Sequence, residues 1–310
     1  METASIVERI TLPTHMAERS AAARRAGGRV GFVPTMGALH EGHMDLIRQA
    51  RKSTDLVVCS IFVNPLQFND PRDLANYPRQ LEQDAALLSD AQCDVLFAPT
   101  KEELFHAFEP RTYDLGGLDG HWEGPSRPGH FQGVVNVVER LFFHVRPDMA
   151  FFGEKDRQQL TILRHVARHE RWPERIVPCP TVRAADGLAL SSRNQRLSAE
   201  ERAQATVLHR ALQRAAELAF QFPPAHLHKA VADVLAEEPA VRSDHFGVAD
   251  ALDLQPLEEW GDRTEAVALI AAYVGPVRLI DNITLVRPTV PRGGPTFAAR
   301  SREHPGATNG

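Results

Sequence analysis

Val30-Gly31-Phe32-Val33-Pro34-Thr35-Met36-Gly37-Ala38-Leu39-His40-Glu41-Gly42-His43 runs from an apolar β-branched segment through a glycine-bounded turn into the start of a helix. Val30 to Val33 reads as a strand, and a helix is predicted from about Gly42 to Lys52. In an open α/β sheet, ligands collect where the carboxyl ends of strands meet helix N-termini. A helix start offers unpaired N–H groups and partial positive charge, which suits a phosphate. Gly37 and Gly42 remove side chains where nucleotide and backbone approach each other. His40 and His43 are three residues apart and so project from nearly the same face, where both can donate to one polyphosphate. His40-Glu41-Gly42-His43 is one residue short of the helical zinc-protease spacing, so a zinc site of that kind is not expected.

The pattern continues outward from this turn. Leu56 to Val63 is a continuous apolar run, as in a strand covered on both faces. Gln80 to Ala91 places Leu81, Ala85, Leu87 and Leu88 at helical spacing, and Val95 to Ala98 follows as a strand. A helix at Gly133 to Val145, a strand at Met149 to Phe152 and a helix at Asp156 to His169 complete the alternation. This order predicts an α/β fold with a Rossmann-like, doubly wound parallel sheet.

The character changes near Leu190. Ser198 and Glu201 form a capping box for a long Ala-rich helix, and a second helix, Ala225 to Glu237, follows Pro223-Pro224. Phe246 to Ala249, Ala266 to Val274 and Arg278 to Ile283 read as strands. The expected division is a domain over 1–189, a smaller α+β domain over 190–286, and a Pro-, Gly- and Arg-rich disordered tail over 287–310.

Bulk properties narrow the function. The 310 residues are 43% hydrophobic and 24% charged, an ordinary globular balance that needs no disulfide or structural metal. A net charge of −5 argues against a nucleic-acid surface. Cys59, Cys93 and Cys179 show neither zinc nor redox spacing, and the chain start lacks the apolar run of a secretory signal or membrane span. A cytoplasmic protein that does not bind membranes is expected.

Three further segments carry chemistry. Met149-Ala150-Phe151-Phe152-Gly153-Glu154-Lys155-Asp156-Arg157-Gln158-Gln159 repeats the strand–glycine–helix pattern and places Lys155 as a counter-charge for phosphate. Thr181-Val182-Arg183-Ala184-Ala185-Asp186-Gly187-Leu188-Ala189-Leu190-Ser191-Ser192-Arg193-Asn194 leads through an Asp-Gly turn to hydroxyl and guanidinium donors suited to a phosphate clamp. Ser60-Ile61-Phe62-Val63-Asn64-Pro65-Leu66-Gln67-Phe68 ends a buried strand with amides that either meet a small polar substrate or brace the loop at Pro65.

Together with Tyr77-Pro78-Arg79, Glu123 to Gly133 and Arg278 to Asn282, these segments resemble the pantoate–β-alanine ligase family of the histidine-x-glycine-histidine nucleotidyltransferases, over nearly the whole chain to about Val286. The resemblance implies a two-step, Mg²⁺-assisted reaction. ATP adenylylates the carboxylate of pantoate, and the amine of β-alanine then displaces AMP. It also implies that Met36, Gly37, Ala38, Leu39, His40, Glu41, Gly42 and His43 line ATP, with Gly153, Glu154, Lys155, Asp156, Val182, Leu190, Ser191, Ser192 and Arg193 completing that site. His43, His40, Lys155 and Arg193 are the implied catalytic group, with His43 as proton donor. Gln67 and Gln159 would hold pantoate, assisted by Asn64 and Arg127, and Gln67 would also lie near β-alanine. No protein ligand of the metal is implied. The family further implies a C-terminal lid and a homodimer formed through the larger domain.

Besides the Gly- and Arg-containing tail after Arg287, two positions depart from the family pattern. Arg157 replaces a common aromatic and is expected to face solvent, and Trp122 is unusual before Glu123. Two other functions compete with the ligase. An adenylyltransferase of the same superfamily would need more positive charge for a phosphorylated acceptor than the amides Gln67 and Gln159 supply. A regulatory nucleotide-binding protein without turnover is expected to lack His43, Lys155 or Arg193, and all three are present.

Overall fold

A computed structural model describes residues 6–288. Six strands, β1 (Glu8–Ile10), β2 (Val30–Thr35), β3 (Leu56–Ile61), β4 (Val95–Phe97), β5 (Met149–Gly153) and β6 (Arg175–Cys179), form one sheet in the order β1-β4-β3-β2-β5-β6. Every pairing in it is parallel. From β2 the chain steps outward through β3 in one direction, while β5 and β6 build in the other. The carboxyl ends of β2 and β5 therefore border the crevice at the topological switch point, which is where such sheets take ligands.

Side chains alternate between two cores because successive residues of a strand face opposite sides. Phe32, Val58, Phe97 and Phe152 belong to one core, with Val135, Leu141 and Phe142 of helix His130–Val145. Val33, Val57, Leu96 and Phe151 belong to the other, with Ile47 of helix Glu41–Ser53 and Leu88 of helix Leu81–Asp90. Double-sided burial explains the unbroken apolar character of β3.

The predicted central strands and the helices between them are present, with ends shifted by a few residues. The strands that periodicity did not reveal are the two edges, β1 and β6. β1 has three residues, and β6 exposes Arg175 and Pro178, so neither presents an apolar run. Pro178 has no N–H to offer another strand, a feature suited to an edge. Helix Pro13–Arg25 also lay outside the elements predicted above.

The smaller unit is a three-stranded antiparallel sheet, β7 (Val241–Asp250), β8 (Glu265–Val274) and β9 (Val277–Val286), backed by helices Val207–Leu218 and Pro224–Leu235. Leu208, Leu212, Leu227, Ile270 and Leu279 form its core. The capping box of Ser198 and Glu201 is present, but the helix it starts ends at Ala205. There the Thr206 hydroxyl donates to the Ala203 carbonyl at 2.7 Å, and a second helix begins at Val207. The expected tail starts too early at 287: Arg287 is tied to the carbonyls of Arg263 and Gly261 at 2.7 and 2.6 Å. Residues 289–310 of that tail lie outside the described residues.

Helix His130–Val145 approaches the turn Pro65–Gln67 closely. A Cβ on Gly133 would sit 2.1 Å from the carbonyl oxygen of Leu66. Glycine-to-alanine exchange inside a helix ordinarily stabilises by about 1 kcal/mol. Here the sign should reverse, with Gly133→Ala destabilising by about 1–3 kcal/mol through overpacking. Denaturant unfolding reads the sign directly, and an unchanged or raised midpoint would show that the helix has room to spare.

Candidate active site

The turn after β2 is built from behind. Gly37 and Ala38 both adopt left-handed backbone, with φ of +85° and +51°. Asp84, 1% exposed, accepts the N–H groups of Ala38 and Leu39 at 2.9 and 2.8 Å. Thr35 accepts the Gly37 N–H at 3.2 Å and donates to the Ser60 carbonyl at 2.7 Å, linking the turn to β3.

His40 is the cap of helix Glu41–Ser53 rather than its first residue. Its Nδ1 accepts the N–H of Gly42 at 3.2 Å, and Nδ1 of His43 accepts the N–H of His40 at 3.3 Å. Both Nδ1 lone pairs are thereby occupied by backbone donors, so the ring proton of each neutral imidazole resides on Nε2. The rings lie 4.1 Å apart and both border the same cavity. Burial, with Lys155 contributing, depresses His40 to about 4; burial and then His40 hold His43 well below the usual histidine range. At neutral pH the pair are uncharged Nε2–H donors.

Across the crevice, β5 ends at Gly153 and Lys155 follows, 16% exposed, with Asp156 3.8 Å away. The turn is held from the smaller unit: the Asn282 amide donates to the carbonyls of Glu154 and Lys155, both at 2.9 Å. The Ser192 hydroxyl donates to the Ala38 carbonyl at 3.0 Å, joining the Ser191-Ser192-Arg193 loop to the turn after β2. Arg193 lies 3.5 Å from Asp73. Residues from both units therefore surround one cavity.

In the acceptor half, Asn64 commits its amide to the scaffold. It donates to Gln67 Oε1 at 2.9 Å and to the Gly133 carbonyl at 3.0 Å, and accepts from the Leu66 N–H at 3.1 Å. Asn64 thus braces the loop and orients Gln67, whose Nε2 faces Met36 Sδ at 3.2 Å. Gln159 and Arg127 also border the cavity. Arg127 has no carboxylate within ion-pair distance among the described residues, and burial followed by the neighbouring Arg193 brings it down to about 10.

Most residues singled out from sequence meet at this cavity: Met36, His40, Gly42, His43, Asn64, Gln67, Arg127, Gly153, Lys155, Asp156, Gln159, Val182, Leu190, Ser191, Ser192 and Arg193. Gly37, Ala38 and Leu39 form the turn behind it. Glu41 instead pairs with Arg48, and Glu154 with Arg157. The expectation that Arg157 faces solvent is corrected. Its side chain is 15% exposed, 3.4 Å from Glu154, and donates to the Ala251 carbonyl of the smaller unit at 3.5 Å.

Sequence reasoning assigned no role to Asp84, Trp122, Glu123 or His130. Trp122, at φ 56° and ψ −112°, sends its indole N–H to the Leu254 carbonyl at 2.8 Å. Gln158 fixes the same loop, accepting the Glu123 N–H at 2.9 Å and donating to the carbonyls of Leu118 and His121 at 2.7 and 2.9 Å. Glu123 forms a two-pronged pair with Arg278 of β9 at 2.6 and 2.8 Å.

Residues 8–284 match the pantoate–β-alanine ligase family. A pantothenate synthetase of Porphyromonas gingivalis W83 is 46% identical over 84% of this chain and 93% of its own length. One from Corynebacterium glutamicum strain R is 49% identical over 83% and 93%. The crystal structure of a pantothenate synthetase from Thermus thermophilus superposes with a TM-score of 0.83 at 44% identity, covering 89% of this chain and 99% of that one. A Francisella tularensis pantoate–β-alanine ligase, complexed with beta-gamma ATP and β-alanine, gives 0.73 at 31% identity, covering 89% and 97%.

The depressed histidines carry a stability consequence. The unfolded chain binds protons near pH 6.5, whereas His40 and His130 in the fold resist protonation until about 4. Their contribution is complete above the unfolded value and is lost as pH falls through that window. The denaturation midpoint should therefore decline from about pH 6.5 towards about 4, and less steeply in His130→Asn. An identical slope in that variant would show that His130 takes up its proton equally in both states.

Proposed function

This chain belongs to the pantoate–β-alanine ligase family, and we propose that the cavity at the ends of β2 and β5 is where it uses ATP to join pantoate to β-alanine through a bound pantoyl adenylate. The carboxylate oxygen of pantoate attacks the α-phosphorus and pyrophosphate leaves. The amine of β-alanine then attacks the acyl carbon, the acyl–oxygen bond breaks, and AMP departs. The observation that carries this reading is the opposition of two neutral Nε2–H imidazoles and the Lys155 ammonium across one crevice, with Gln67 and Gln159 in the adjoining half. Such a site stabilises negative charge as it moves onto pyrophosphate and holds a neutral hydroxyl beside a carboxylate.

In this assignment His40, His43, Lys155 and Arg193 contact the phosphates, while Gln67 and Gln159 hold the hydroxyl and carboxylate of pantoate. Arg127 faces the same substrate, and Asn64 acts through Gln67. Among the described residues no three His, Cys, Asp or Glu side chains converge as a metal cage. Mg²⁺ would arrive on the nucleotide with its waters and neutralise phosphate charge, and Asp156 is a carboxylate on the cavity wall that would face it. The smaller unit, from 190 to 286, is proposed as a lid, supported by the cavity's being walled from both units. A cytoplasmic homodimer is part of the same proposal; the three buried free thiols suit a reducing compartment.

Pantoate alone should elicit ATP–pyrophosphate exchange, and AMP with pantothenate should accumulate only when β-alanine is added. Exchange with another acid but not with pantoate would overturn the substrate assignment. His43→Asn keeps an acceptor for the His40 N–H and removes Nε2–H. It should slow exchange by about 10²-fold or more. Near-normal exchange would remove His43 from the phosphate site.

A further inference from the structure

His130 lies at the start of helix His130–Val145, in the acceptor half of the cavity, and takes no part in the assignment of phosphate and pantoate contacts. It is 4% exposed, and its Nδ1 is 2.8 Å from the backbone oxygen of Gln67. A carbonyl oxygen only accepts, so Nδ1 must carry the hydrogen and Nε2 is left as a bare lone pair. This tautomer is the reverse of that in His40 and His43, where backbone N–H groups occupy Nδ1 and leave Nε2–H outward. Of the four imidazoles on the cavity wall, those of His40 and His43 donate and that of His130 accepts, while His245 lies beside the carboxylates of Glu123 and Asp244.

The two steps of the reaction make opposite demands. Phosphate oxygens need donors. An attacking amine needs its lone pair aimed at the acyl carbon and an acceptor for its N–H. Resting on the ligase reading, we propose that Nε2 of His130 receives an N–H of the β-alanine amine, aims its lone pair, and takes its proton once the C–N bond has formed. The balance is complete: the amine nitrogen bonds the acyl carbon, the bond to the AMP oxygen breaks with its electron pair on AMP, and the proton leaves nitrogen for Nε2. From there it passes to solvent with the products.

Two surroundings suit this role. Arg127, three residues earlier and also on the cavity wall, disfavours a bound ammonium and so favours the free amine. Burial, followed by Arg127, keeps His130 at about 4 and therefore neutral, with its lone pair available throughout the working range. A base so weak matches a nitrogen that becomes acidic only after it has attacked.

The test separates the two half-reactions. His130→Asn retains an N–H for the Gln67 carbonyl and deletes the Nε2 lone pair. On one preparation, two rates are measured: pantoate-dependent ATP–pyrophosphate exchange and pantothenate formation from β-alanine. Relative to exchange, the β-alanine rate should fall by roughly 10²-fold in His130→Asn. His130→Gln, which restores an acceptor near Nε2, should recover part of the β-alanine rate. A parallel fall in both rates would make His130 a support for Gln67 and overturn the proposal, as would an unchanged β-alanine rate. Absence of exchange in the unmodified protein would instead overturn the ligase reading itself.

Discussion

A single buried carboxylate sets the direction of the turn after β2. Asp84 sits behind Ala38 and Leu39 and accepts both of their N–H groups. Hydrogen bonds from two backbone N–H groups offset the cost of removing that side chain from water. With the turn held in this direction, the N–H of His40 points to His43 and the N–H of Gly42 points back to His40. The tautomers of both rings follow from that arrangement. A side chain in one helix thereby determines which ring atoms at the start of another face the cavity.

The same logic of occupied and unoccupied atoms divides the cavity into two chemical halves. At the end of β2, backbone donors occupy one nitrogen of each ring and turn the other into a donor. On the acceptor side, the backbone supplies a carbonyl, and the imidazole there becomes an acceptor. Local backbone polarity decides the difference, because burial keeps the rings uncharged in both places.

Periodicity made the inner sheet legible because β2, β3 and β5 are buried on both faces and must be apolar throughout. It failed at β1 and β6 because an edge strand faces water along one side and is free to hold arginine and proline. The residues on the cavity wall after β2 could be recognised from their glycine and histidine spacing. Asp84 could not, since an acid that shares an amphipathic helix with Glu82 and Asp90 looks like an ordinary surface position. Arg157 was misplaced for a related reason. Its charge suggests exposure, yet the smaller unit folds over it and offers a carbonyl alongside Glu154 as partners. Long-range partners of this kind, like Glu123 with Arg278, are set by how the two units meet and leave no local periodicity.

The loop carrying Trp122 has one more consequence, for how this sequence can drift. The indole lies against the backbone of β7 at Gly247, where a Cβ would come within 2.1 Å of the ring. Any side chain at 247 therefore displaces the ring from its bond to Leu254. A smaller residue at 122 would leave a gap over Ala249, Leu254, Val267 and Leu269 unless something at 247 grew to fill it. Though 125 positions apart, the two residues constitute one heritable unit: a lineage can exchange ring-over-glycine for some other filling, but only by changing both.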